Sequence, residues 1–200
     1  MDHLRYSGFP FEAQRTAFLG IVSSDPLIAE TLSRVRALDL PDWLVVSGAL
    51  YNSIWNHLTG KPPGYGIKDI DLFYCDASDL SYEAEDGVIR RAAEHFEGLT
   101  LPVEVRNQAR VHLWYEARFG DAYPLLSSSA EALSYFASKT HAVGVCFDAA
   151  GQLELVAPFG LDDVFSFRIT PNRALDNRKT HEAKGARARD NWPEISVLPW

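Results

Sequence analysis

One short stretch constrains this chain more than any other: Lys68-Asp69-Ile70-Asp71-Leu72-Phe73-Tyr74-Cys75. Ile70, Leu72 and Tyr74 alternate with Asp69, Asp71, Phe73 and Cys75, which is the period of a β-strand over 69–75 with one apolar face. Asp69 and Asp71 then leave the same face, roughly 6.5–7 Å apart along the strand. Two carboxylates that close repel each other, so a fold that keeps them together gains from a cation between them. Mg²⁺ takes oxygen ligands and is typically held by one or two carboxylates plus substrate phosphates. A solvated strand edge is the plainer reading of the same pattern.

The flanking stretches add to this. Upstream, Trp43-Leu44-Val45-Val46-Ser47-Gly48 reads as a strand that breaks into the helix Ala49-Leu50-Tyr51-Asn52-Ser53-Ile54-Trp55. Its apolar run lacks alternation, as expected of a strand buried on both faces. Strand, small residues, then helix is how a backbone approaches a phosphate at a helix N-terminus, which marks Ser47, Gly48 and Ala49 as a candidate phosphate cradle. A tight turn that merely requires small residues would look the same. Downstream, Leu101-Pro102-Val103-Glu104-Val105-Arg106 reads as a third strand, with Glu104 and Arg106 on one face and the valines on the other.

This arrangement resembles the DNA polymerase β-like nucleotidyltransferase superfamily: a strand with a small-residue turn into a helix, a hydrophobic-Asp-hydrophobic-Asp strand, and a later strand with a single acid. More closely, Asp-Ile-Asp-Leu-Phe-Tyr, Asp-Leu-Ser-Tyr-Glu-Ala-Glu-Asp, Pro-Val-Glu-Val-Arg-Asn-Gln-Ala-Arg-Val-His-Leu-Trp-Tyr and Ala-Pro-Phe-Gly-Leu-Asp-Asp are similar to a bacterial family of nucleotidyltransferase-like proteins. The likeness runs from about Trp43 to Trp200. Two features depart from the superfamily pattern. The turn, usually Gly-Gly or Gly-Ser, is Ser47-Gly48-Ala49 here, and the segment from Gly48 to Asp69 is longer than in most members.

Composition narrows the partners. A net charge of −8 disfavours a protein that coats nucleic acid, since affinity for a polyanion comes mainly from basic groups. DNA is therefore not expected as a partner. The two cysteines, Cys75 and Cys146, sit in apolar strand patterns and read as buried free thiols of a reducing compartment. No apolar run approaches about 20 residues and no signal pattern opens the chain, so a cytoplasmic protein without a membrane span is expected.

The remaining segments read mostly as scaffold. Helices are expected over Phe11–Val22 and after Asp25-Pro26, with Asp25 as N-cap and Pro26 in the first turn. Lys61 and Lys68 flank a Gly/Pro-rich loop and are candidates to screen phosphate charge, while Tyr65 could stack on a base. Ser81 caps a helix to about Phe96, and the acids from Asp79 to Asp86 are explained by its dipole. A helix is expected from Ala109 to Phe119, with Arg110 and His112 as further candidate site residues. Ser128 and Glu131 form a capping box for a helix reaching about His141. A hairpin follows over 142–157, and Asp162 and Asp163 read as a cap. From Arg168 to Arg189 the chain carries seven Lys or Arg residues against Asp176 and Glu182, which suggests either a solvated tail or a basic flap over phosphates.

The expected fold is α/β (α+β). Strands 43–48, 69–75 and 102–107 form a mixed sheet flanked by helices, and the hairpin either extends it or makes a small second layer. One domain spans 1–200, with a helical cover over 1–40, a core over 43–160 and a basic tail over 168–200. The resemblance implies the polymerase β-like core and transfer of a nucleoside monophosphate from an NTP to an acceptor. Asp69, Asp71 and Glu104 would hold Mg²⁺ or Mn²⁺, Glu104 would help deprotonate the acceptor, and Ser47, Gly48, Ala49, Lys68 and Arg106 would bind the nucleotide. A small-molecule acceptor is favoured, and protein or RNA stay open, as does the oligomeric state. Two alternatives stand beside this: a non-catalytic nucleotide-binding or protein-interaction module on the same scaffold, and a metal-dependent phosphohydrolase using the same acids.

Overall fold

The computed structural model describes residues 2–200. Two helices, α1 (Phe11–Ser24) and α2 (Pro26–Val35), open the chain. Asp25 caps α2 as its sequence predicts: the carboxylate accepts hydrogen bonds from the amides of Leu27 (3.0 Å) and Ile28 (3.4 Å), and Pro26 takes the first turn. Next come β1 (Leu44–Val46), α3 (Gly48–Thr59), β2 (Ile70–Tyr74), α4 (Tyr82–His95), β3 (Val103–Asn107) and α5 (Val111–Phe119). The second half contains α6 (Ser129–Ala132), β4 (Gly144–Phe147), β5 (Leu153–Val156), α7 (Asp162–Phe165), β6 (Arg168–Ile169), α8 (Arg178–Asn191) and β7 (Ser196–Val197). Among the described residues no helix is long and apolar enough to cross a membrane.

Five strands form one mixed sheet in the order β3-β2-β1-β4-β5. β1 runs antiparallel to both β2 and β4, β4 and β5 form an antiparallel hairpin, and β3 lies parallel to β2 at the edge. A parallel neighbour needs a crossover, and α4 provides it, packing against β3. The hairpin extends the sheet and builds no second layer. The strands are shorter than the sequence suggests, because Asp69 and Cys75 lie just outside β2.

Alternation sorts the sheet into two faces. Ile70, Leu72, Tyr74 and Val105 enter the main core with Phe18, Ile28, Leu50 and Trp55 of the helices. Leu44, Val46 and Phe73 point the other way, where Leu133, Phe136 and Ala142 cover only part of the face. The uncovered part of this second face carries the acids.

Two expectations about the second half are corrected. The Ser128 hydroxyl does accept from the Glu131 amide at 3.2 Å, yet α6 ends at Ala132 and passes through a 3₁₀ turn into extended chain by Phe136, well short of His141. Glu131 reaches back to the amide and hydroxyl of Ser127, not to Ser128, so the box is open on one side. The segment after Arg168 is not a solvated tail: β6 and β7 pair, and α8 docks on the core through Ala188 and Trp192, the latter 2% exposed. The Trp192 indole donates to Asn56 Oδ1 (3.1 Å), and the Asn56 amide donates to the Tyr65 carbonyl (2.9 Å), which ties α8 and α3 to the loop that leads into Asp69. Gly66 lies under this indole with φ +69; a Cβ there would sit 2.5 Å from the Trp192 ring, so only glycine fits. His181 fastens the other side of α8, bonding Ser138 Oγ (2.7 Å) and the Leu198 carbonyl (2.8 Å).

Candidate active site

The β2–β3 register puts Asp71 directly opposite Glu104 and Phe73 opposite Arg106. Paired residues of parallel strands leave the same face, so Asp71, Glu104, Phe73 and Arg106 form a block on the second face. Asp69 precedes the strand by one residue and lines the same cleft as Asp71. Asp71 is half-buried and Glu104 is exposed at the sheet edge. Burial raises the Asp71 carboxyl to about 6, and the charges of Asp69 and Glu104 push the same way, while Lys184 and Arg106 oppose. Glu104 also lies 3.8 Å from Arg106. Among the described residues no three His, Cys, Asp or Glu side chains form a ready-made metal cage, so Glu104, expected as a third ligand, does not join Asp69 and Asp71 in one. Asp69 and Asp71 therefore make an open pair, the donor set that suits a hard cation whose other ligands come from phosphates.

The turn between β1 and α3 faces this pair. Ser47 adopts φ +60, ψ −120, a conformation that ordinarily calls for glycine. The surroundings hold it there: its amide donates to the Val143 carbonyl (2.8 Å), and its own carbonyl accepts from Leu50 and Tyr51. Strain of this kind costs roughly 1–3 kcal/mol and concentrates at functional sites. α3 starts at this twist, and Ser47 and Gly48 at its N-terminus line one cleft with Asp69 and Asp71. Ser47 Oγ and Asn52 Oδ1 are buried here without a hydrogen-bond partner. Ser47, Gly48 and Lys68 line the cleft, whereas the Ala49 side chain packs into the core, leaving only its backbone to the cradle.

Lys184 and Arg187 of α8 complete the cleft. The sequence names them only as members of a general basic stretch; the docking of α8 singles them out, because both lie on the turn that passes Asp69 and Asp71. Arg187 donates to the Gly66 carbonyl at 2.8 Å, which holds its guanidinium beside the loop. Behind the turn, the Tyr51 hydroxyl is pushed up, chiefly by burial and then by the Asp71 charge. The Tyr51 ring stacks on buried His141 at 4.7 Å, and burial holds that imidazole well below its ordinary value, in its neutral form.

Residues 33–197 match the family model described as nucleotidyltransferase. The chain belongs to that family. A solved structure described as an NMR structure that reveals a CCA-adding enzyme head domain shares the fold, with a TM-score of 0.73 and 26% identity over 92% of this chain and 96% of that one. Curated proteins give no match. Family and fold together support nucleotidyl transfer as the general activity, on a polymerase β-like core.

In this nucleotidyltransferase several other candidates take different places. Arg106, expected to bind the nucleotide beside Lys68, does not line the cleft of Ser47, Lys68 and Asp69; it lines the neighbouring hollow with Asp71, its guanidinium on the Val105 carbonyl at 2.9 Å. Arg110 is structural: it pairs in the interior with Glu85, whose other oxygen accepts from the Asn107 amide at 2.9 Å. Glu85 thus braces the end of β3, and the helix dipole is not its whole explanation. His112 lies outside the cleft, its Nδ1 buried without a partner. Tyr65 packs perpendicular to Trp192 (5.8 Å) and has the Lys61 ammonium over its ring (4.5 Å), so it is not a free stacking platform. Asp162 and Asp163 do not cap α7; they clasp Arg168 at 3.1 and 2.6 Å, and Asp162 also accepts from the Gly8 amide. Cys75 and Cys146 are unpaired and half-buried, with burial pushing both thiols up.

Proposed function

We propose that this protein transfers a nucleoside monophosphate from an NTP to an acceptor hydroxyl, with pyrophosphate leaving. The observation that carries the reading is the Asp69–Asp71 pair with Glu104 beside it, set against a strained helix N-terminus and the cations of α8. Handling of a polyanion accounts for these features together. The pair would hold Mg²⁺ or Mn²⁺, which when bound neutralises phosphate charge and polarises the α-phosphorus for attack.

The chain's own residues do the rest. Amides of Gly48 and Ala49 and the unpartnered Ser47 hydroxyl supply donors to the phosphate oxygens. Lys68, Lys184 and Arg187 draw the β- and γ-phosphates into the cleft and balance the charge that accumulates on the leaving pyrophosphate. Glu104, exposed at the sheet edge, accepts the proton of an acceptor hydroxyl approaching from solvent. The fixed framework accounts for positioning, which is most of catalysis in phosphoryl transfer.

Incubating the full chain with each of four NTPs and Mg²⁺ or Mn²⁺, in the presence of candidate small-molecule, protein and RNA acceptors, tests this directly. A nucleotidylated product seen by mass spectrometry, with one pyrophosphate released per product, is expected. NTP binding without transfer to any acceptor would favour the non-catalytic module. Phosphate release without an acceptor would favour a hydrolase.

A further inference from the structure

Beyond Asp71, on the side away from the phosphate cleft, the same sheet face opens into a second hollow of about 300 Å³. Its walls are aromatic: Trp114, Tyr115 and Phe119 of α5, Tyr123 after it, and Tyr135 and Phe136 of the segment that follows α6. These rings brace one another. Tyr115 lies 4.6 Å from Phe119 and 4.5 Å from Tyr123, Tyr123 lies 5.5 Å from Tyr135, and the Tyr115 hydroxyl donates to Asn177 Oδ1 at 3.0 Å. Asp71 is the only carboxylate in the lining. At the inner end, Ser47 Oγ and His141 Nε2 are buried without hydrogen-bond partners. The two cavities meet at Ser47, Asp71 and Lys184, which line both.

We propose that this hollow binds the nucleobase of the donor nucleotide, an inference that rests on the NTP-donor reading of the neighbouring cleft. A nucleotide has a polyanionic arm and a planar aromatic arm on opposite sides of its α-phosphate. The site has a related polarity on opposite sides of Asp71: Lys68, Arg187 and the first turn of α3 lie to one side, the tilted rings with Arg106 at their edge lie to the other, and Lys184 is shared between them. Aromatic walls hold any base by its π-face, and the hollow is of the volume at which small-ligand pockets begin. His141 Nε2, buried without a partner, is the polar atom left for a group of the base, as buried polar atoms are otherwise paired. An acceptor has a different route. Glu104 lies on the edge strand, exposed, and is not part of the hollow's lining, so a hydroxyl reaches it across β3 without entering the aromatic pocket.

Titrating the full chain in Mg²⁺ buffer with ATP, GTP, CTP, UTP and inorganic tripolyphosphate, by calorimetry, separates the two arms. At least one NTP should bind about tenfold or more tightly than tripolyphosphate, within the range that base stacking on aromatic side chains supplies. Trp114→Ala and Phe119→Ala, at partly exposed positions, should remove that preference and leave tripolyphosphate affinity unchanged. Equal binding of tripolyphosphate and every NTP, or variants that keep the preference, would overturn the base pocket while the phosphate site stands. Variants that keep the preference but lose acceptor-dependent turnover would assign the hollow to the acceptor and overturn it likewise. Binding of neither NTP nor tripolyphosphate would remove the donor reading and this inference with it.

Discussion

Replacing Asp71 by asparagine probes the acid pair with no ligand present. In the folded chain the Asp71 carboxyl is raised from 3.8 to about 6, by burial first, with Asp69 and Glu104 adding to it and Lys184 and Arg106 opposing. The folded value lies above the unfolded one. Between them the native state holds a proton that the unfolded state has released, so stability falls as pH rises through this window. About two units at 1.36 kcal/mol each give a penalty of about 3 kcal/mol, fully present above about pH 6 and absent below about pH 4. Asparagine keeps the shape and cannot ionise. In EDTA at pH 8, Asp71→Asn should therefore be more stable than the parent by up to about 3 kcal/mol, or roughly 6–12 °C in Tm for a chain of this size. At pH 4 the two should melt together. Scanning calorimetry at both pH values measures this. A variant no more stable than the parent at pH 8, or a gain that persists unchanged at pH 4, would refute the reasoning. Mg²⁺ with NTP should raise the parent's Tm and leave the variant's nearly unmoved, because only the parent presents two charged ligands to the cation.

Other substitutions test separate parts of the site. Glu104→Gln, at an exposed position, should leave Tm and NTP affinity unchanged and lower turnover by about 10²-fold or more in steady-state assays with an identified acceptor, the range for loss of a general base. Ser47→Gly should raise stability by about 1 kcal/mol in chemical denaturation, since glycine relieves the positive φ at some entropic cost; Ser47→Val should lower it. Trp192→Ala should cost about 3–5 kcal/mol and loosen the loop ahead of Asp69, seen as faster amide hydrogen exchange over residues 60–69.

Local patterns in the chain already carried the strands, the caps and the acid-bearing face. Alternation over 70–74 and 103–107 is a property of the backbone, and it alone puts Asp71 on one face of its strand and Glu104 on one face of its own. Asp25 and Ser81 cap helices through contacts two or three residues away, a range that needs no tertiary information. What no local pattern could decide was which strands are neighbours. Only the parallel β2–β3 pairing turns two separately placed acids into one set and brings Glu104 and Arg106 beside Asp71, while Lys184 reaches it through the docking of α8. The same holds for the basic C-terminal stretch. Its composition suits a solvated tail, because α8 has a polar sequence whose few apolar contacts, Ala188 and then Trp192, reveal their weight only once the core is in place to receive them. Docking then selects Lys184 and Arg187 from seven basic residues by helix geometry. The aromatic hollow is likewise tertiary: Trp114, Tyr123 and Tyr135 are spread over more than twenty residues of chain and three local conformations, and come together only through the folding of the sheet's second face.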